Sequence, residues 1–302
     1  MTDLSRIAAI MSDIGISVTS AQALSGGHSR ETWLVTCADN RRVVLRFGDA
    51  RSHIEAAILN RAKTVVPVPE VIACGVGFLV SEFVEGQTLE ELLRTGIAAG
   101  EGEALAAQLG QSVAAIGTVA FDRPGFFTDG DLSVGKTLPQ AHQLASLCTE
   151  WLGKSGRFTS SEVAGWNELC TQNFEILAPL NQISRLVHSD MNPKNIIVNR
   201  VDGRWKLKAF IDWEFAHSGC PFADVGNFCR FASEYPQGFL HSFVKAFEDA
   251  APLITEDWQQ QARVLDMIAL SDLASRPVGH VVGDKAEALI RSWSASGIPP
   301  LV

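Results

Sequence analysis

The pattern of apolar and polar positions changes period about a third of the way along the chain. Before residue 85 it is strand-like. Thr32 to Cys37 and Val43 to Phe47 are short β-prone runs, and Ala38, Asp39 and Asn40 between them are turn residues. Ile54, Ile58 and Ala62 recur at helical spacing and predict a helix over 53–63. The segment Val66-Pro67-Val68-Pro69 ends it, because neither proline can continue a helix. Phe78 to Val80 and Phe83-Val84 then flank Ser81-Glu82, and Gly86 closes the segment.

Beyond Thr88 the period becomes helical. Leu105, Leu109, Val113 and Ile116 mark an amphipathic helix over 101–118, and similar patterns follow near 138–152, 161–179, 237–250, 256–274 and 284–295. A short β segment interrupts them: Arg185 to Val187, Ile196 to Val198, and Trp205 to Ile211 after the turn residues Asp202-Gly203. The expected fold class is α+β. A small β-rich lobe over 1–85 would precede a larger, mostly helical lobe over 86–302 with an embedded hairpin.

Composition narrows the function classes. The 302 residues are 46% hydrophobic and 20% charged, ordinary for a globular protein. No run approaches the roughly 18 uninterrupted apolar residues of a spanning helix, so no membrane partner is expected. The formal net charge of −9 argues against a nucleic-acid binder, which needs a basic face, and permits a cationic partner. Met1 to Ile16 carries Asp3 and Asp13 and does not read as a secretion signal, which makes the cytoplasm the expected location. The six cysteines lack metal-site spacing and are expected to be reduced, buried thiols.

The chemistry is concentrated at the hairpin. It opens with His188-Ser189-Asp190-Met191-Asn192-Pro193-Lys194-Asn195 and closes with Ile211-Asp212-Trp213-Glu214. Two apolar strands thus bracket Asp190, Asn195 and Asp212. An Asn and an Asp with open positions suit a hard cation such as Mg²⁺, which keeps several waters. A further carboxylate outside that shell can accept a proton from a hydroxyl.

The H-x-D-x-x-x-x-N segment followed by I-D-W-E resembles the aminoglycoside phosphotransferase and choline kinase superfamily, relatives of the protein kinases. Ser25 to Thr32, Val44-Leu45-Arg46, Glu55 to Leu59 and Val66 to Pro69 follow that family's N-lobe order. Leu79 to Gly86 resembles its hinge strand, and Cys220 to Gly226 resembles the segment after its metal-binding Asp. The resemblance covers roughly residues 20 to 230 and fades over the C-terminal 70.

It implies a protein-kinase-like two-lobe fold and a kinase using ATP or GTP with Mg²⁺ to phosphorylate a small hydroxylated acceptor, for which the acidic balance permits a cation. Asp190 would orient or deprotonate the acceptor hydroxyl, and Asn195 and Asp212 would hold the metal. His188 and Asp224 would brace the loop, with Glu214 supporting the metal's waters. Gly26, Gly27 and Ser29 would approach the phosphates, although locally they read equally well as a hairpin turn. Arg46 stands where many kinases carry lysine and would pair with Glu55 or grip phosphate. Glu82 and Val84 would lie at the nucleotide base. The other class of reading is a degenerate kinase fold acting as a binding module; such a fold normally loses Asp190, Asn195 or Asp212, and all three are present.

Two points stay open at this level. Lys194 either reaches the transferring phosphate or is merely solvated. Glu256, Asp257, Asp266 and Asp272 on the C-terminal helices either meet a cationic acceptor or lie on solvated faces, and Arg230, Arg276 and Arg291 would suit a carboxylate instead.

Overall fold

The structure, a computed structural model, describes residues 3–24, 31–49 and 51–302. It opens with helix α1 (Asp3–Asp13), followed by strands β1 (Val18–Ala23), β2 (Thr32–Cys37) and β3 (Arg42–Phe47). Helix α2 (Ser52–Ala62) separates these from β4 (Val71–Gly75) and β5 (Phe78–Glu82). The five strands form one antiparallel sheet in the order β1-β2-β3-β5-β4. The turn between β2 and β3 closes through Asn40 at a φ of 65°, a left-handed conformation that asparagine accepts more readily than most residues.

Strand period decides what faces where. In β3, Val43, Leu45 and Phe47 are buried, and with Val35, Cys37, Val80 and the α1 residues Ile7 and Met11 they form a small core. Arg46 lies between Leu45 and Phe47 and so points to the opposite face. The strand is central in its sheet, and only 14% of the Arg46 side chain is exposed.

The remainder is mainly helical: α3 (Leu89–Thr95), α4 (Ala99–Ile116), α5 (Ala141–Ser155), α6 (Ser160–Asn173), α7 (Phe222–Cys229), α8 (Phe239–Ala250), α9 (Trp258–Ala274) and α10 (Val281–Ser296). Strand β6 (Gln87–Thr88) pairs with β8 (Ile196–Val201), which forms a hairpin with β9 (Arg204–Phe210). Strand β7 (Arg185–Val187) pairs antiparallel with β10 (His217–Gly219). A second, larger core runs from Ile54 and Ile58 of α2 through the helices to Leu301. It crosses the expected break at residue 85, so α2 packs with the helical part as well as with its own sheet. Backbone bonding adds to that joint, since Phe210 N–H donates to Pro67 O at 3.0 Å.

Close helix packing requires glycine at two places. A Cβ at Gly110 of α4 would stand 2.2 Å from the Phe243 carbonyl of α8, and one at Gly226 of α7 would stand 2.2 Å from the Ala262 carbonyl of α9. Neither backbone can yield without moving a helix.

Five of the six cysteines are buried free thiols, as expected; Cys74 on β4 is exposed. Among the described residues, no helix is long and apolar enough to cross a membrane.

Candidate active site

Two chain segments form the centre of the site, and the hairpin brings them together. The loop 188–195 leaves β7 and enters β8, while Ile211 and Asp212 leave β9 beside it. Ile211 N–H donates to Asn195 O at 2.9 Å, which locks the two segments side by side.

The Asp190 carboxylate is held from both oxygens. Asn192 Nδ2 donates to Oδ1 at 2.9 Å and Asn195 Nδ2 donates to Oδ2 at 2.8 Å. Both amides also donate to the Asp190 carbonyl, at 3.1 Å and 2.9 Å. With its nitrogen committed to Asp190, Asn195 has its Oδ1 left as a potential ligand. Lys194 N–H donates to Asn192 Oδ1, so Asn192 caps the short 3₁₀ turn at Pro193–Asn195 while gripping Asp190.

Asp224 and His188 brace this loop. Asp224, on the first turn of α7, accepts the backbone N–H groups of His188 at 2.9 Å and Ser189 at 2.8 Å. Burial pushes its carboxyl up from the usual range; the His188 ring and those two N–H donors oppose the shift. His188 is buried against Trp213, with ring centroids 4.5 Å apart. Its Nδ1 accepts the Asp190 N–H at 3.3 Å, so Nε2 carries the proton and donates to Ile211 O at 2.9 Å. One imidazole thereby joins the Asp190 loop to the residue preceding Asp212. Ser189 and Asp212 sit at φ values of 71° and 66°, left-handed conformations at two positions that flank this imidazole bridge.

Across from the loop, Arg46 reaches down from β3. Its guanidinium pairs with Glu55 of α2 through one nitrogen and with Asp212 Oδ1 through the other. Glu55 is buried and Asp212 is one-third exposed. Glu214 follows, half-buried.

The structure thus gathers Asp190, Asn195, Asp212, His188, Asp224, Arg46 and Glu55 into one bonded network. The other sequence expectations fare differently. Gly26, Gly27 and Ser29 lie outside the described residues. Val84 is half-buried beyond the end of β5. The Glu82 side chain is exposed, and its carboxylate accepts the Glu70 N–H at 3.4 Å, so any contact with a base would fall to its backbone. Lys194 pairs with Glu90 of α3 at 3.7 Å, both about half exposed, a solvated pair. Asn192 was not among the expected site residues. Its signal was the Asn-Pro pair, a cap-and-turn signature that also serves the site.

The C-terminal carboxylates require a correction. Asp266 of α9 is fully buried and accepts from Arg230 Nε at 3.0 Å and Nη2 at 2.6 Å, so it faces neither solvent nor an acceptor. Burial raises its pKa and Arg230 opposes that. Arg230 is equally committed, bonding also to Asn227. Arg291 is taken by Glu162 and Glu287. Glu256 and Asp257 are exposed in the turn before α9. Asp272, two turns after Asp266, does reach solvent, yet desolvation raises its carboxyl; Arg276 and Arg230 lower it and the charge of Asp190 raises it further.

Comparison with known proteins gives the family and the fold. The family model for the phosphotransferase enzyme family matches residues 20–260. The chain belongs to that family. No curated protein matches it by sequence. Among solved structures it is similar to a thermostable mutant of an aminoglycoside phosphotransferase in a ternary complex with ADP and hygromycin B. That match has 19% identity and a TM-score of 0.72, over 99% of this chain and 100% of that one. It is also similar to a putative fructosamine-3-kinase from Thermobifida fusca, at 18% identity and TM-score 0.69, over 95% and 97% of the two chains. A macrolide 2'-phosphotransferase type I matches at 16% identity and TM-score 0.68, over 96% and 99%. At these identities the likeness establishes the kinase-like fold, which this phosphotransferase shares along nearly its whole length.

Proposed function

We propose that the chain is a small-molecule kinase that transfers the terminal phosphate of ATP or GTP to an acceptor hydroxyl. The observation that carries this reading is the Asp190 carboxylate, fixed by Asn192 and Asn195 on a loop that is bonded to the segment carrying Asp212, which in turn pairs with Arg46 beside Glu55. The neighbour bound to ADP and hygromycin B, and a related one bound to AMP-PNP and hygromycin B, support a nucleotide and a hydroxylated acceptor in the same cleft.

Phosphoryl transfer asks a protein mainly for positioning and for neutralisation of charge on the phosphate oxygens. Asp190 is placed to accept the proton of the acceptor hydroxyl as its oxygen bonds to the γ-phosphorus. The bond from that phosphorus to the bridging oxygen breaks, and the nucleoside diphosphate leaves. Asn195 Oδ1 and the Asp212 carboxylate are hard oxygen donors, the set that suits Mg²⁺. Bound there, Mg²⁺ would screen the phosphate charges. Arg46 supplies a fixed cation on the N-terminal side of the cleft. In this reading residues 1–85 handle the nucleotide and 86–302 carry catalysis and the acceptor, with Asp272 on the acceptor side.

The test is a panel of small alcohols, amine-bearing and neutral, assayed for nucleotide turnover with ATP and with GTP and Mg²⁺. An active acceptor is expected, and Asp190→Asn should lower its turnover by roughly 10²–10⁴ while nucleotide still binds. Wild-type turnover in Asp190→Asn would remove Asp190 from the role of base.

A further inference from the structure

A cation of the protein's own lies against the carboxylate proposed to hold the metal. Arg46 forks between Glu55 and Asp212, and its contact on Asp212 is Oδ1. All three side chains are at least two-thirds shielded, so these charges are screened far less than surface ones. A planar guanidinium can serve two carboxylates at once through separate nitrogens. Asp212 stands in a left-handed backbone conformation, uncommon for a residue with a side chain. The bond also spans the molecule, from strand β3 to the residue after Ile211.

We propose that Arg46 is a resident counter-cation for Asp212, which occupies the metal's carboxylate oxygen until nucleotide draws it away. The inference rests on the reading of Asp212 as a metal ligand. A divalent ion on either oxygen of the Asp212 carboxylate would lie close to the guanidinium, so a metal arriving alone has either to displace a cation or to sit beside one. That costs far more than binding to a free carboxylate. A triphosphate changes the balance, because its oxygens offer the guanidinium a second set of acceptors and free Asp212 Oδ1. Metal and nucleotide thereby bind as a mutually dependent pair, each raising the other's affinity by the same factor. The nucleotide-free protein keeps its cleft charges neutralised and its two sides tied together.

Mn²⁺ titrated into the protein and followed by the loss of the free-ion electron paramagnetic resonance signal reads this directly, without turnover. Wild type and Arg46→Met are each titrated with no nucleotide and again with protein in excess over ADP, the loss of signal to Mn²⁺·ADP in a protein-free titration being subtracted. Without nucleotide, Arg46→Met is expected to bind Mn²⁺ at least about tenfold more tightly than wild type, and Asp212→Asn added to it should abolish the gain. With ADP present the advantage should vanish. Arg46→Lys, whose compact ammonium cannot fork to both carboxylates in the same way, should show a smaller gain of the same sign and serves if Arg46→Met does not fold. Equal or weaker Mn²⁺ binding in both variants overturns the proposal. Failure of wild type to take up Mn²⁺ even with ADP would overturn instead the assignment of Asp212 as a metal ligand, so the two failures are distinct.

Discussion

One amide joins Asn195 to Asp190: the Asn195 side-chain nitrogen donates to Asp190 Oδ2 at 2.8 Å and to the Asp190 carbonyl at 2.9 Å. The residue proposed to hold the metal therefore also positions the residue proposed to take the proton. Asn192 performs only the second of these tasks. Asn192→Ala should lower kcat by about tenfold or more, the scale of losing one orienting hydrogen bond near the reacting atoms, and leave the nucleotide KM unchanged. Asn195→Ala should lower kcat and also weaken metal-dependent nucleotide binding. Equal effects of the two substitutions on both parameters would contradict this division of labour.

Ser189 occupies a left-handed conformation while its N–H donates to Asp224. Glycine adopts that backbone without the Cβ clash and keeps the N–H. After subtraction of glycine's greater freedom in the unfolded chain, Ser189→Gly should stabilise the protein by about 0.5–1 kcal/mol. Thermal unfolding of the purified variant measures this. A lower Tm would show that the serine side chain contributes more than its conformation costs.

Asp266 and Asp272 lie on one helix and should respond in opposite ways. Asp266→Asn leaves Arg230 buried without its charge partner and should destabilise by about 3–5 kcal/mol. Asp272→Asn should leave the Tm nearly unchanged. If the acceptor is cationic, Asp272→Asn should raise the acceptor KM and make acceptor binding less sensitive to salt. Urea unfolding of the first variant and acceptor kinetics of the second separate the two roles.

Glu162 closes the N-terminal cap of α6 and pairs with Arg291 of α10. The Thr159 N–H, then Arg291 and the Thr159 hydroxyl, hold its carboxyl down to about 2, against an ordinary value of 4.5. A carboxyl lowered in the folded state adds stability that is complete above its unfolded value and is lost as the pH falls through the folded one. The Tm difference between wild type and Glu162→Gln should therefore be constant above pH 4.5 and shrink between pH 4.5 and 2. A difference that does not change over that interval would mean that the cap works without its charge.

Much of this arrangement was legible in the sequence because it is local. The period-two run Val43 to Phe47, the spacing of Ile54, Ile58 and Ala62, and the order of Asp190, Asn195 and Asp212 each predict their own element. Three kinds of feature were not legible. Short or weakly patterned elements escape: α1 buries little beyond Ile7 and Met11, and β4 alternates without a fully buried position. The conformation of Ser189 is imposed by Asp224, which lies in another element. The burial of Asp266 depends on Arg230 and on a helix that buries polar side chains, Gln261, Arg263 and Ser271, as well as apolar ones. A carboxylate at such a position looks like one on a solvated face until its distant partner is known.

The contact at Gly226 has a bearing on how this scaffold can diversify. Helix α7 carries the brace of the catalytic loop and helix α9 carries Asp272, and the two backbones meet with no side chain between them. If Asp190 is the base and α9 lines the acceptor, as proposed, the two would belong to one closely packed unit. On that reading new acceptors would be accommodated by exchanging side chains along α9, because tilting that helix would press on Gly226 and shift Asp224, which braces the Asp190 loop.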